Sequence, residues 1–319
     1  MQALVAKFVP AADEVHHLQM GDDPECLQFQ KFAEFGHYGG RARSSTRQGT
    51  YAATPSGVFL GSINSNDPDR IREMMQRALA KWEKLPKAER LLPTDPKTQI
   101  PAIRRAERFY PTDGLVLYVT SRDLPRETAP GVDWRARAWN QDYAWFTKAE
   151  ARELLPGQPD VERKQELPVP IVHRIACAHL VDNVRGQTTP FDEAHVKKAR
   201  LTSEVTAVDA TRVSIRIDGQ TLTEDEGARK HGFDTRLMGR ATYDLAKERF
   251  VAFELLAIGT RWGATQFNFR RGDVDAEPMG VLFTLAGGTP SERVAPAFHY
   301  HRVYRPVAES SLHPADSRS

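Results

Sequence analysis

The stretch Arg47 to Trp82, RQGTYAATPSGVFLGSINSNDPDRIREMMQRALAKW, most constrains what this chain can fold into. Tyr51 to Thr54 is β-compatible, Pro55 presets φ for the first central position of a tight turn, and Gly57 supplies a permissive exit. Val58, Phe59, Leu60 and Ile63 form the returning strand, so the unit is expected to be a hairpin. A helix start follows. Asp67 can accept from first-turn N–H groups, Pro68 fits the first helical position, and Asp69 complements the dipole. Ile71, Met74, Met75, Ala78, Leu79 and Trp82 then recur at helical spacing, with Arg70, Arg72, Glu73, Gln76, Arg77 and Lys81 opposite. One apolar stripe beside one hairpin predicts a helix packed on a sheet.

Upstream, Leu4 to Val9 has the composition of a buried strand, and His16 and His17 lie in a polar segment. Asp22 or Asp23 before Pro24 starts a helix in which Cys26, Phe29, Phe32 and Ala33 share a face; Gly36, Gly39 and Gly40 end it. Arg41 to Thr46 is a small basic loop. In this order of strand, helix, loop, hairpin and closing helix, GTYAATPSGVFLGSINSNDPDRIREMMQRAL resembles the last two strands and final helix of the thioredoxin-like superfamily. The resemblance covers residues 1–85 and corresponds to the C-terminal half of that fold. It implies a thioredoxin-like half-domain and, as an activity, thiol–disulfide chemistry. The family's CxxC pair is absent: its reactive half would lie before Met1, and Gln48-Gly49-Thr50 stands at the cis-proline position without proline. Cys26 is then the redox candidate, since a helix N-terminus depresses a thiol pKa. The competing reading is an inert buried cysteine on an apolar helix face.

From Glu83 to Asp113 the composition shifts. Pro86, Pro93, Pro96, Pro101 and Pro111 punctuate a charged stretch, which predicts an extended linker over 86–113; Arg104, Arg105 and Arg108 cluster on its solvated face. Residues 114–306 read as an antiparallel β-rich domain and 307–319 as a disordered tail. Leu115 to Val119 is a strand; Thr147 to Glu150 is a capping box for a short helix that Pro156 closes. Ile171 to Val184 is ambiguous, and the turn signal at Asp182-Asn183 favours a strand with His173, Cys177 and His179 on one face. Beyond it, Leu201 to Ala207 and Val213 to Ile217 alternate, TEDEGARKHGFDTR is a polar loop, and Leu237 to Tyr243 pairs with Phe250 to Ile258. Gln266 to Phe269, Val281 to Leu285 and Phe298 to Tyr304 complete a meander. Phe250 to Ile258 is apolar on both faces, which predicts a covered central strand or a sheet curled toward a half-barrel. The fold class is therefore α+β, a half-domain followed by an antiparallel sheet domain.

The function classes excluded are clearer than the one selected. A net charge of +2 is too small to argue for nucleic acid, and no apolar run suits membrane insertion. Two cysteines, Cys26 and Cys177, make no disulfide framework, and the N-terminus lacks a secretory pattern. A cytoplasmic protein is the default, or an extracytoplasmic one if the true start lies upstream of Met1. There is no P-loop, nucleophile elbow, HExxH or dinucleotide fingerprint, and no cofactor is expected. Trp134, Trp139, Tyr143 and Trp145, interleaved with Arg135 and Arg137, could make a stacking platform, but anchoring of an irregular segment is the simpler role. The metal candidates are His299 and His301 as an HxH pair on a strand, completed by His179, His173 or Cys177. Glu254 in an apolar strand is either a buried acid or the partner of Arg240 or Arg261, and the second is favoured. Trp262, Gln266, Asn268 and Arg270 could rim the mouth of a curled sheet and bind a ligand. These features favour a non-enzymatic module binding a protein or small molecule, with a thioredoxin-like redox protein lacking its active site as the alternative.

Overall fold

The computed structural model describes residues 2–12, 15–40, 46–92, 94–95, 109–125, 138–227, 230–289, 292–299 and 301–304. The chain divides into two compact units, Met1–Phe109 and Tyr110–Ser319. Most of the proline-spaced segment 93–108, with its three arginines, and the tail 305–319 lie outside the described residues, as do Trp134, Arg135 and Arg137. No helix among the described residues is long and apolar enough to cross a membrane.

The first unit runs α1 (Gln2–Val5), α2 (Val15–Met20), α3 (Pro24–Ala33), β1 (Thr50–Ala53), β2 (Phe59–Ile63), α4 (Pro68–Lys84) and α5 (Lys87–Arg90). Its hairpin and closing helix form as their local chemistry requires. Thr54 N–H donates to the Val58 carbonyl at 2.9 Å across the turn, and Gly57 takes a φ of +89° that a side chain would resist. Asp67 Oδ1 accepts from Asp69 and Arg70 N–H at the start of α4. Met74, Met75 and Ala78 on its apolar stripe pack against Ala52 and Leu60 of the hairpin. The expected strand at Leu4 to Val9 is not formed. A four-residue helix, α1, stands at its start, none of the helix's residues is buried, and Val9 is exposed. The start of the expected linker likewise holds a helical turn, α5.

The second unit contains β3 (Leu115–Asp123), β4 (Trp139–Phe146), α6 (Lys148–Arg152), β5 (Lys164–Glu166), α7 (Val169–Arg174), and β6 (Val196–Val208) to β10. The remaining strands are β7 (Arg212–Asp225), β8 (His231–Asp244), β9 (Arg249–Gly263) and β10 (Glu277–Leu285). All eight strands form one open antiparallel sheet in the order β4-β3-β10-β9-β8-β7-β6-β5, an α+β architecture. From β5 to β10 every neighbour in sequence is a neighbour in space, with short connections joining β6 to β7, β7 to β8 and β8 to β9. Alternate residues of each strand face one interior, where Leu117, Ile217, Leu237, Leu255 and Phe283 meet Ile171, Val172 and Ile175. Glycines let the long strands curl around this filling. A Cβ at Gly239 would lie 2.5 Å from the Glu254 carbonyl oxygen, and one at Gly259 would lie 1.8 Å from that of Asp234.

Four expectations are corrected here. Ile171 to Val184 is not a strand: α7 runs to Arg174 and continues as a π-turn over Ile175–His179, closed by Leu180 N–H donating to the Ile175 carbonyl at 2.9 Å. Burial explains the difference: every residue from Arg174 to Val181 is buried, so no exposed polar face marks a helical or a strand period. The polar segment TEDEGARKHGFDTR is mostly strand, since β7 reaches Asp225 and β8 begins at His231; Asp234 and Arg236 on β8 are exposed between buried Phe233, Thr235 and Leu237. Gln266 to Phe269 and Phe298 to Tyr304 are turns, not strands, as the internal bonds from Thr265 N–H to Asn268 Oδ1 and from His301 N–H to the Phe298 carbonyl show.

Candidate functional site

The proposed mouth of the sheet is not a binding rim. Trp262 lies half-buried against Gly232, and Gln266 is exposed. Asn268 and Arg270 turn inward, 1% and 0% exposed. Asn268 Oδ1 accepts from the N–H groups of Thr265 and Arg270 and so shapes its own loop. Arg270 makes two bidentate forks: to Asp123 at 2.6 and 2.8 Å, and to Asp182 at 2.7 and 2.9 Å. Arg185 and Arg261 complete the network through Asp123 and Asp273. Three guanidinium groups face three carboxylates, a sealed neutral cluster. Burial works against the charge on Arg270, but its bonds to Asp123 and Asp182 prevail and hold the guanidinium charged. Its role is to clamp β3 to the loops after the π-turn and after β9. Glu254 is exposed and paired with Arg240 at 2.8 Å, the reading favoured from sequence.

Among the described residues, the histidine candidates fall near one another without three ligand atoms converging on one point. His301 Nε2 lies 3.3 Å from Asp192. His179 and His299 instead flank Tyr304, with ring centroids 5.7 Å from it on each side. The π-turn delivers His179 into a buried polar centre. Tyr304 OH accepts from Trp145 N–H at 3.4 Å and is hydrogen-bonded to His179 Nε2 at 2.5 Å. The other ring nitrogen, His179 Nδ1, faces Asp142 Oδ2 at 3.9 Å and has no hydrogen-bond partner among the described residues. Burial, with the Arg174 charge adding to it, holds His179 neutral by pushing its pKa down to about 3. Burial also pushes Asp142 up to about 6, against the backbone N–H bonds from Tyr143 and Ala297. Arg174 roofs the centre: it stacks over Tyr304 at 4.8 Å and donates to the carbonyls of Trp145 and Val303 and to Glu150. The centre thereby ties the turn 296–304 to β4 and to the helix. Asp142 and Tyr304 were not singled out from sequence, because nothing local marks a strand carboxylate and a distant tyrosine as neighbours.

The outward face of the sheet carries a different feature. Met238, Leu256 and Leu282 are direct cross-strand neighbours on β8, β9 and β10. The adjacent row runs Arg236, Ile258, Gly280, Arg122 and Trp139. Met238, Ile258, Leu282 and Trp139 are 52, 41, 38 and 60% exposed, although their strand neighbours Leu237, Ala257, Val281 and Phe283 are buried. Arg122 and Arg236 are exposed and have no ion-pair partner among the described residues. The double-sided apolar character of Phe250 to Ile258 was the signal for this face. Its interpretation as a covered strand is corrected: Ile258 is open. On the inward side, at the middle of the sheet, Leu117, Ile217, Leu255 and Phe283 line an apolar void of about one water molecule.

Both cysteines are buried and free. Cys177 is pushed up to about 12, by burial first and then by Glu193 and Asp192. Cys26 sits in the first turn of α3, fully buried, with its thiol donating to Asp23 Oδ2 at 3.2 Å. No protein-family model, curated protein or solved structure matches the chain.

Proposed function

We propose that this chain is a non-enzymatic protein-binding module, and that the outer face of its large sheet receives a partner segment carrying apolar and acidic side chains. The observation that carries this reading is the double row of exposed Met238, Leu282, Ile258 and Trp139 around the half-buried Leu256, with Arg122 and Arg236 set among them. Exposed apolar side chains in adjacent rows across central strands are costly in water unless something covers them. Tryptophan, methionine and arginine are the residues that protein interfaces concentrate. Two arginines without ion pairs select carboxylates in the partner.

The test is selection from a displayed random-peptide library on immobilised protein, followed by titration of the recovered peptides. The account expects apolar peptides bearing aspartate or glutamate, bound at least tenfold more weakly by Ile258→Glu. Recovery of no peptide above background, or equal binding by Ile258→Glu, would refute it. A concentration-dependent dimer abolished by Ile258→Glu would assign the face to a second copy instead and overturn the partner reading.

A second reading is proton transfer at Asp142, His179 and Tyr304, favoured by a carboxyl near neutrality beside an unpaired imidazole nitrogen, at the end of a π-turn. A substrate could reach it only if the turn 296–304 lifted. Amide exchange at Ala297 and His301 limited to global unfolding would exclude that reading. Thiol–disulfide exchange has less support, because both thiols are buried and Cys26 is bonded to a carboxylate.

A further inference from the structure

We propose that His17, Asp23 and Cys26 form a binding site for a divalent metal ion of the zinc type. The three residues come from two short helices, α2 and α3, and from the cap between them. Their donor atoms converge: Cys26 Sγ lies 3.7 Å from His17 Nε2 and 3.2 Å from Asp23 Oδ2, and the last two atoms lie 3.7 Å apart. A tetrahedral zinc ion with ordinary bonds to sulfur, nitrogen and oxygen has ligand-to-ligand edges of about 3.3 to 3.5 Å. The triangle is thus one face of a coordination tetrahedron, requiring movements of a few tenths of an ångström.

The surroundings fit the same ion. The Asp23 carboxylate divides its work: Oδ1 accepts from Glu25 and Cys26 N–H at 3.0 and 3.1 Å, which fixes the group, while Oδ2 points at the sulfur and the imidazole. Such second-sphere bonds orient a metal-binding carboxylate. Residue 21 must be glycine for the sulfur to sit there, since a Cβ would come 2.6 Å from Cys26 Sγ. Gln30 Nε2 holds that turn by donating to the carbonyls of Leu18 and Gly21, at 3.1 and 2.8 Å. His17 and Asp23 side chains are 9 and 7% exposed and Cys26 is fully buried. Neutral imidazole, carboxylate and thiolate together carry two negative charges, which a divalent cation neutralises. Thiolate with imidazole selects zinc over magnesium or calcium, and water takes the fourth position. Binding replaces the thiol proton by the metal and releases that one proton to solvent.

The experiment uses the full chain, reduced and stripped with chelator, then dialysed against zinc and separately titrated with cobalt(II) under anaerobic conditions. The expected result is one zinc per chain and, with cobalt, a thiolate charge-transfer band in the near ultraviolet with intense tetrahedral ligand-field bands. Cys26→Ser should lose the charge-transfer band, and His17→Gln should bind at least tenfold more weakly. Asp23→Asn keeps a helix-capping oxygen while removing the anionic ligand, so it reports on the site even if Cys26→Ser fails to fold. Zinc below 0.2 per folded wild-type chain in excess metal, or a charge-transfer band that persists in Cys26→Ser, would overturn the proposal.

Discussion

Asp142→Asn should stabilise the protein, and more so as the pH rises. In the folded chain burial pushes the Asp142 carboxyl from 3.8 to about 6, while its side chain is only 12% exposed. The folded state therefore holds this proton more tightly than the unfolded chain does. Between about pH 4 and pH 6 the native state binds more protons, so the wild-type contribution is greatest below the unfolded value and is lost as pH rises through the folded one. The full effect of a carboxyl displaced from 3.8 to about 6 is about 3 kcal/mol, of which about 1.4 kcal/mol falls between pH 5 and pH 8. Asparagine does not titrate, and its carbonyl oxygen can still accept from Ala297 N–H as Asp142 Oδ1 does. Neutral burial of His179, with its pKa pushed down to about 3, acts in the opposite direction: its stabilisation is full above 6.5 and is lost as pH falls. That term is common to both proteins and drops out of their difference. The assay is urea denaturation of both proteins at pH 5, 6, 7 and 8. The stability difference, variant minus wild type, should rise across this range by about 1.4 kcal/mol. A constant difference, or one that falls, would refute the claim that the carboxyl is ionised at a cost.

Other substitutions test the remaining parts of the account. Arg270→Met strands Asp123, Asp182 and Asp273 with two arginines for three carboxylates, and should cost about 3–5 kcal/mol in urea denaturation. Gly259→Ala drives a Cβ into the Asp234 carbonyl and should cost about 1–3 kcal/mol by the same assay; an unchanged midpoint would remove glycine from the explanation of the curl. Asp23→Ala should destabilise the first unit by about 1 kcal/mol through loss of the α3 cap, and Asp23→Asn by much less, as read by thermal melting of the metal-free chain. Ile258→Glu should change stability by no more than about 0.5 kcal/mol, because the residue faces water.

Where the chemistry is local, the sequence was an adequate guide. Asp67-Pro68, the turn Pro55 to Gly57 and the Thr147–Glu150 box announce caps and turns through residues adjacent in the chain, and all form. Strands with one wet face were likewise readable from alternation, as with Leu201 to Val205, whereas a register shift after Val205 leaves Ala207 exposed. The failures share a different cause. Arg174 to Val181 is buried at every residue, so neither the helical nor the strand period is imprinted on it. Leu4 to Val9 has strand composition, but only Leu4 and Phe8 of it pack, partly buried, against the core of the first unit. The sites were least legible of all. Arg270 looked like a polar rim residue until Asp123 and Asp182, 147 and 88 positions away, were brought to it. Asp142, His179 and Tyr304 meet only through the tertiary fold. His17, Asp23 and Cys26 span ten residues, but their convergence depends on the angle between two helices, which no spacing rule encodes. The outer apolar face did leave a trace, in the double-sided run of β9; burial on both sides and exposure on one give the same letters.

The central claim, that the outer face of the large sheet is a binding surface, is tested most directly by one titration. A peptide recovered by selection is labelled and titrated with wild-type protein and with Ile258→Glu, both shown to be equally folded. The account predicts saturable binding that weakens at least tenfold in the variant and weakens further with added salt, because Arg122 and Arg236 contribute. Binding of equal strength to both proteins would contradict it.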